Sequence, residues 1–143
     1  MSRLIRFLRY NEHKSLTLQS LLYSAIYRFS ILHDSGDRLN RRWGREGQES
    51  SLDVENADYK YVLKVAYAVN RVCNRTRWES KCLVRALTAQ RLLRKKKIPS
   101  TLYLGCGLDD AGNMIAHAWL RCGRIYVTGG NGDGYAVVDK FLS

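Results

Sequence analysis

The 143-residue sequence has few of the features that mark linkers, metal sites or repeat architectures. It contains a single proline, no glycine- or serine-rich tract and no internal repeat. Its three histidines lie far apart and its four cysteines form no CxxC pair, so the spacing argues against the common zinc-binding patterns. We therefore predict one compact unit that holds no metal and no cofactor.

Long apolar runs are absent as well. No run reaches the roughly 18 residues that a membrane-spanning helix needs. The nearest, from Leu16 to Leu32, is interrupted by Gln19, Arg28 and several serines. The N-terminal stretch also lacks the uninterrupted apolar region and the small-residue cleavage site of a secretory signal. These absences predict a cytoplasmic protein with no membrane span, whose cysteines are reduced thiols.

Acidic residues are outnumbered: 24 lysines and arginines face 13 aspartates and glutamates, which gives a net charge of +11. Such a charge speeds association with acidic partners, but it does not distinguish a protein, a nucleic acid or a membrane surface. The basic residues are dispersed along the chain, with one cluster at 38–45 and another at 91–97. We interpret them as solvated faces suited to an acidic protein partner. A small basic nucleic-acid-binding protein is an alternative, although no helix-turn-helix or RRM signature is present.

The apolar spacing predicts an α+β fold, with a helical first half packed on a small antiparallel sheet. Apolar residues with the i, i+3, i+4 rhythm of an amphipathic helix are Leu18, Leu21, Leu22, Ala25, Ile26 and Phe29. The predicted helices are Leu16–Leu32, Asn56–Arg75 and a third from its N-cap Ser80 to Lys96. The predicted strands are Thr101–Leu108, Met114–Arg121, Arg124–Thr128 and Tyr135–Val138. We divide the chain into an N-terminal helical extension, residues 1–55, and a core, residues 56–143.

Cys82 is the cysteine that the sequence places at the start of a helix. Unpaired N–H groups and the helix dipole stabilise a thiolate there, whereas a helix end, such as the position of Cys73, does not. His117 lies in a predicted strand between two alanines, which leave room for a partner across the sheet. A cysteine facing a histidine is the nucleophile–base pair that acyl transfer requires. A buried structural cysteine and a core histidine are the alternative interpretation.

A third group should orient the imidazole. If Cys122-Gly123 is a two-residue hairpin turn, the register puts Thr128 directly opposite His117. A carboxylate would orient the ring better than a hydroxyl, and Asp133 follows a Gly129-Gly130 pair that could fold the chain back. The sequence leaves Thr128 and Asp133 as equal candidates.

The segments around these residues resemble those of a known protein family. The run from Trp78 through Cys82 to Leu87, then Ile98-Pro99, Leu102–Gly105 and Ala116–Leu120, resembles the transglutaminase-like leader peptidases of lasso-peptide biosynthesis. The resemblance implies a transglutaminase-like or papain-like cysteine protease fold. It also implies an enzyme that cuts the leader from a ribosomally made precursor peptide. The family usually carries an aspartate soon after the catalytic histidine, where this chain has Val127-Thr128-Gly129-Gly130.

The resemblance also implies partners. The first 75 residues show no strands of the kind that a fused leader-recognition domain would need, so we expect a separate leader-recognition protein. An ATP-dependent lasso cyclase is the further expected partner. The backbone N–H of Cys82 would hold the oxyanion, with the Trp78 indole as a second donor or a simple packing residue. A transamidase and a non-catalytic relative are alternatives with the same fold.

Overall fold

The structure is a computed structural model that describes residues 14–33, 43–54, 56–74 and 82–143. Helix α1 spans Lys14–His33, strand β1 Arg45–Glu46, helix α2 Asn56–Cys73 and helix α3 Cys82–Lys95. Strands β2 to β5 follow at Thr101–Leu108, Met114–Cys122, Ile125–Thr128 and Ala136–Leu142. No helix within these described ranges is long and apolar enough to cross a membrane.

The five strands form one antiparallel sheet in the order β1-β5-β2-β3-β4. Because side chains alternate along a strand, every second residue faces the helices. On that face the buried side chains are Leu102, Ala118, Leu120, Val127 and Phe141, which pack with Leu92 and Leu93 of α3 in one core. The predicted α+β fold, with helices packed on a small antiparallel sheet, is confirmed.

The element boundaries agree closely, with one consequential exception. Strand β2 has the predicted bounds, whereas β5 is longer and begins one residue later than predicted. The two-residue turn is Gly123-Arg124, not Cys122-Gly123, because Cys122 still pairs with Ile125. Strand β1 was not predicted; it has only two residues and takes its register from β5. The predicted N-cap Ser80 lies outside the described residues, and the division of the chain at residue 55 stays a prediction.

Helix α1 turns its apolar stripe outward. Leu18, Leu22 and Ile26 are exposed, by 40, 57 and 44%, while Ser20 and Ser24 are fully buried against the other helices. Small serine side chains let helices approach closely, and each hydroxyl bonds back to a carbonyl of its own helix, that of Leu16 or Leu21. The amphipathic rhythm therefore predicts the helix correctly but not the face that is buried.

Arg121 holds the segment before α2 against the sheet. Its buried guanidinium donates from Nη2 to the Ser50 carbonyl at 2.9 Å and from Nη1 to the Gly123 carbonyl at 2.7 Å. Its Nε donates to the Tyr103 hydroxyl at 3.0 Å, and Glu49 lies 3.9 Å from Nη2. The charge is thus buried with most of its donors satisfied.

We predict that Arg121→Met lowers the free energy of unfolding by about 3 kcal/mol, because it leaves buried carbonyl and hydroxyl groups without a hydrogen-bond donor. Arg124→Met is the matched control, since Arg124 is exposed and its ion pair in the described part of the chain is with exposed Asp53 at 3.8 Å. That pair contributes less than about 1 kcal/mol. Urea unfolding monitored by tryptophan fluorescence measures both variants, and equal losses would contradict the role given to Arg121.

Candidate active site

Cys82 is the first residue of α3, and its sulfur touches the sheet. The side chain is partly exposed, and Sγ accepts a hydrogen bond from the backbone N–H of Ala118 at 3.3 Å. Two sources of positive potential therefore meet at the sulfur, the start of the α3 dipole and the Ala118 amide. Both stabilise negative charge as it develops on the thiol.

The other cysteines lie in different surroundings. Burial raises the pKa of the Cys122 thiol to about 11, with the charge of Asp58 adding to the effect. Cys73 is buried at the last residue of α2. Cys106 is partly exposed but lies in the middle of strand β2 instead of at a helix start. Cys82 alone combines exposure with a helix N-terminus.

His117 lies in β3, next in sequence to the residue that bonds Cys82. Its Nε2 is 2.6 Å from the carbonyl oxygen of Gly129. A carbonyl oxygen only accepts hydrogen bonds, so Nε2 carries the proton and the lone pair of the neutral ring is on Nδ1. This tautomer leaves Nδ1 as the atom that can take a proton from a nucleophile.

Aromatic rings fix the plane of the imidazole. The ring of Tyr135 stacks on His117 with centroids 4.7 Å apart, and the ring of Trp119 lies 5.8 Å away at 23°. Trp119 in turn stacks on Tyr103 at 5.4 Å. Its ring leans over Gly105, opposite His117, where a Cβ would come within 2.8 Å of it. These rings occupy the sheet face opposite the helices.

A glycine loop brings the Gly129 carbonyl to the imidazole. Gly129 and Gly130 have φ angles of 76° and 75°, in the left-handed region that glycine adopts without strain. A Cβ on Gly129 would lie 2.5 Å from the Ala118 carbonyl oxygen and 2.8 Å from Cβ of Trp119. Only glycine lets the chain turn this tightly against β3.

The register that placed Thr128 opposite His117 is wrong. The turn comes one residue later and a bulge follows, so Thr128 pairs with Leu120. The Thr128 hydroxyl is buried and has no hydrogen-bond partner in the described part of the chain. Asp133 is exposed, and its Oδ2 accepts from Nδ2 of Asn131 at 3.1 Å. Neither side chain is hydrogen-bonded to His117 within the described ranges.

The group that does bond the ring, the Gly129 carbonyl, was missed by the sequence analysis. The available signal was the Gly129-Gly130 pair directly after a strand, which permits a fold-back of the backbone itself. Trp78, the candidate second oxyanion donor, lies outside the described residues. Among the residues that the structure describes, no group of three or more His, Cys, Asp or Glu side chains is arranged to hold a metal ion.

We predict that Gly129→Ala removes the Nε2–H tautomer of His117 and that Gly130→Ala preserves it. Both substitutions impose about 1 kcal/mol of left-handed strain. Only the first collides with β3, since no atom of the described residues lies within 4 Å of a Cβ on Gly130. Long-range ¹H–¹⁵N spectra of the imidazole at neutral pH report the tautomer. An Nδ1–H signal in the wild-type protein would contradict the assignment.

The sequence was compared with protein families, curated proteins and solved structures. The sequence matches the family described as the transglutaminase-like superfamily over residues 25–140, which is most of the chain and includes Cys82, His117 and Gly129. Searches of curated proteins and of solved structures found no match. The chain belongs to the transglutaminase-like superfamily.

Proposed function

We propose that this protein is a cysteine peptidase that removes the leader from a lasso-peptide precursor, with Cys82 as nucleophile and His117 as base. The observation that carries the proposal is the hydrogen bond from Ala118 N–H to Cys82 Sγ. It holds the thiol of the helix start against the strand that carries the histidine. Membership of the superfamily supports acyl-transfer chemistry at such a pair.

In the proposed reaction, Cys82 and His117 act in both halves, which are formation of a thioester and its hydrolysis. The Cys82 thiol gives its proton to Nδ1 of His117, and the sulfur attacks the carbonyl carbon at the leader–core junction. The leaving amine takes that proton, which leaves a thioester on Cys82. Water, deprotonated by the same nitrogen, then attacks the thioester, so that the leader departs as a carboxylic acid and the thiol is restored.

Two backbone groups would assist these steps. The N–H of Cys82 lies at the start of α3, a position where N–H groups are generally not used within the helix, and it would donate to the oxyanion. The Gly129 carbonyl would keep the proton on Nε2 and stabilise the imidazolium that forms during each half. In this proposal a backbone carbonyl would take the place of the aspartate that lasso leader peptidases usually carry.

The lasso leader as substrate rests on the resemblance of the segments around Cys82 and His117. With it comes the proposal of a separate leader-recognition protein, of an ATP-dependent cyclase that acts next, and of reaction in the cytoplasm. The outward apolar stripe of α1 supports the need for a protein partner, because leaving Leu18, Leu22 and Ile26 in water is unfavourable. The net charge of +11 suits an acidic one.

The test is mass spectrometry of the cognate precursor incubated with this protein and its leader-binding partner. We predict cleavage at one junction by the wild-type protein. Cys82→Ala should reduce cleavage to the level without enzyme, and His117→Ala should slow it by about 10²- to 10⁴-fold. Circular dichroism of each variant checks that the fold is retained.

Cys106→Ala is the matched control, because Cys106 is a second partly exposed cysteine of the same domain. It should cleave at the wild-type rate. Cleavage by Cys82→Ala above the no-enzyme level would contradict the assignment of the nucleophile. An intact precursor with the wild-type protein and confirmed partner binding would favour a non-catalytic relative, and a product joined to an added amine would identify a transamidase.

A further inference from the structure

Strand β3 has an open backbone edge that begins at the nucleophile. In a hairpin with a two-residue turn, the flanking residues Cys122 and Ile125 exchange both backbone hydrogen bonds. Even-numbered residues of β3 therefore direct their N–H and C=O groups away from β2. Ala118 is one of these even-numbered residues, and its outward N–H donates to Cys82 Sγ. The next two even-numbered residues towards the start of β3 are Ala116 and Met114.

Strand β4 does not cover these two residues. Its last pair with β3 is Leu120 with Thr128, after which Gly129 turns the chain across the Trp119 face of the sheet. Within the described ranges, no hydrogen bond reaches the outward backbone groups of Ala116 or Met114. Ala116 is exposed and Met114 is 78% exposed. Among the described residues this edge is therefore unpaired, and it continues directly from the sulfur.

We propose that the substrate binds as an added β-strand on this edge, with its backbone hydrogen-bonded to Ala116 and Met114. The inference rests on the proposed function, since it supplies the peptide whose carbonyl reaches Cys82. When a residue of the peptide is hydrogen-bonded to the backbone of Ala116, the carbonyl group that follows it in the peptide lies beside Ala118 and so reaches Sγ of Cys82. Backbone pairing to an exposed edge recognises extended peptide irrespective of its side chains.

The fragment on the edge is the acyl side of the scissile bond. That fragment stays attached to Cys82 after the amine has left, so the site must hold it until water attacks. It then runs parallel to β3, from Met114 towards Ala118. Its alternate side chains lie beside Met114, which is exposed and faces the exposed Leu108 of β2 on its other side. The substrate class is thus an extended peptide with an apolar side chain a few residues before the cut.

The experiment compares two alkylating reagents on Cys82 of the whole protein, with mass spectrometry of the digested product. Iodoacetamide needs no peptide binding. Acetyl-trialanyl chloromethyl ketone carries three acyl-side residues. In the reaction the carbon–chlorine bond breaks, chloride leaves with the electron pair and the thiol proton passes to His117 or buffer, while an S–C bond forms. Three further reagents carry one N-methyl group each, on successive amides.

We expect N-methylation of alternate amides to slow alkylation of Cys82 by the peptide reagent about tenfold, and N-methylation of the amides between them to have little effect. The reason is that a strand directs every second amide towards its neighbour. Ala116→Pro removes the edge donor and should slow the unmethylated reagent by a similar factor, with the iodoacetamide rate unchanged. Ala116→Ser, which keeps the N–H, is the matched control.

Equal sensitivity at all three amides, or at none, would overturn strand addition, and this arm uses only the wild-type protein. Equal loss of both reagents in a folded Ala116→Pro protein would also overturn it. Failure of the proposed function looks different. In that case iodoacetamide itself would show no preference for Cys82 over Cys106, whatever the peptide reagents do.

Discussion

The contact between the start of α3 and the middle of β3 is the constraint on which the site depends. The Ala118 amide bonds Cys82 Sγ, and this is possible because α3 packs its buried face, including Leu92 and Leu93, on the sheet. The same alternation that puts Ala118 on the helix side puts His117 on the other side. The sulfur of Cys82 thus lies against β3 at Ala118, and the preceding residue of the same strand, His117, carries the imidazole on the opposite face.

The opposite face is organised around Trp119. Its ring stacks between Tyr103 and the imidazole, and the glycine loop lies against it, where a Cβ on Gly132 would come within 2.5 Å of the ring. This packing determines where the Gly129 carbonyl lies, and the carbonyl determines the tautomer of His117. Orientation of the base is therefore a consequence of aromatic–glycine packing, with no carboxylate bonded to the ring in the described part of the chain.

Much of this follows from the sequence, and the exceptions have identifiable physical reasons. Periodicity locates the helices and strands, and the helix start at Cys82 and the strand at His117 identify the candidate pair. Register is harder, because a one-residue change in the turn and a bulge near Leu120 moved Thr128 by three positions relative to β3. A backbone acceptor such as the Gly129 carbonyl leaves no side-chain signal. For α1, buried serines and exposed leucines reverse the usual rule, since close helix contact depends on side-chain size as well as polarity.

If Cys82 and His117 act as one unit, His117 should raise the reactivity of the Cys82 thiol. Alkylation of the four cysteines with iodoacetamide at neutral pH measures that reactivity without any substrate. We predict that Cys82 reacts first and that Cys122, whose pKa is raised to about 11 by burial, stays protected until unfolding. His117→Ala should slow the reaction of Cys82 by roughly tenfold and leave that of Cys106 unchanged. An unchanged Cys82 rate in a folded His117→Ala protein would contradict the account.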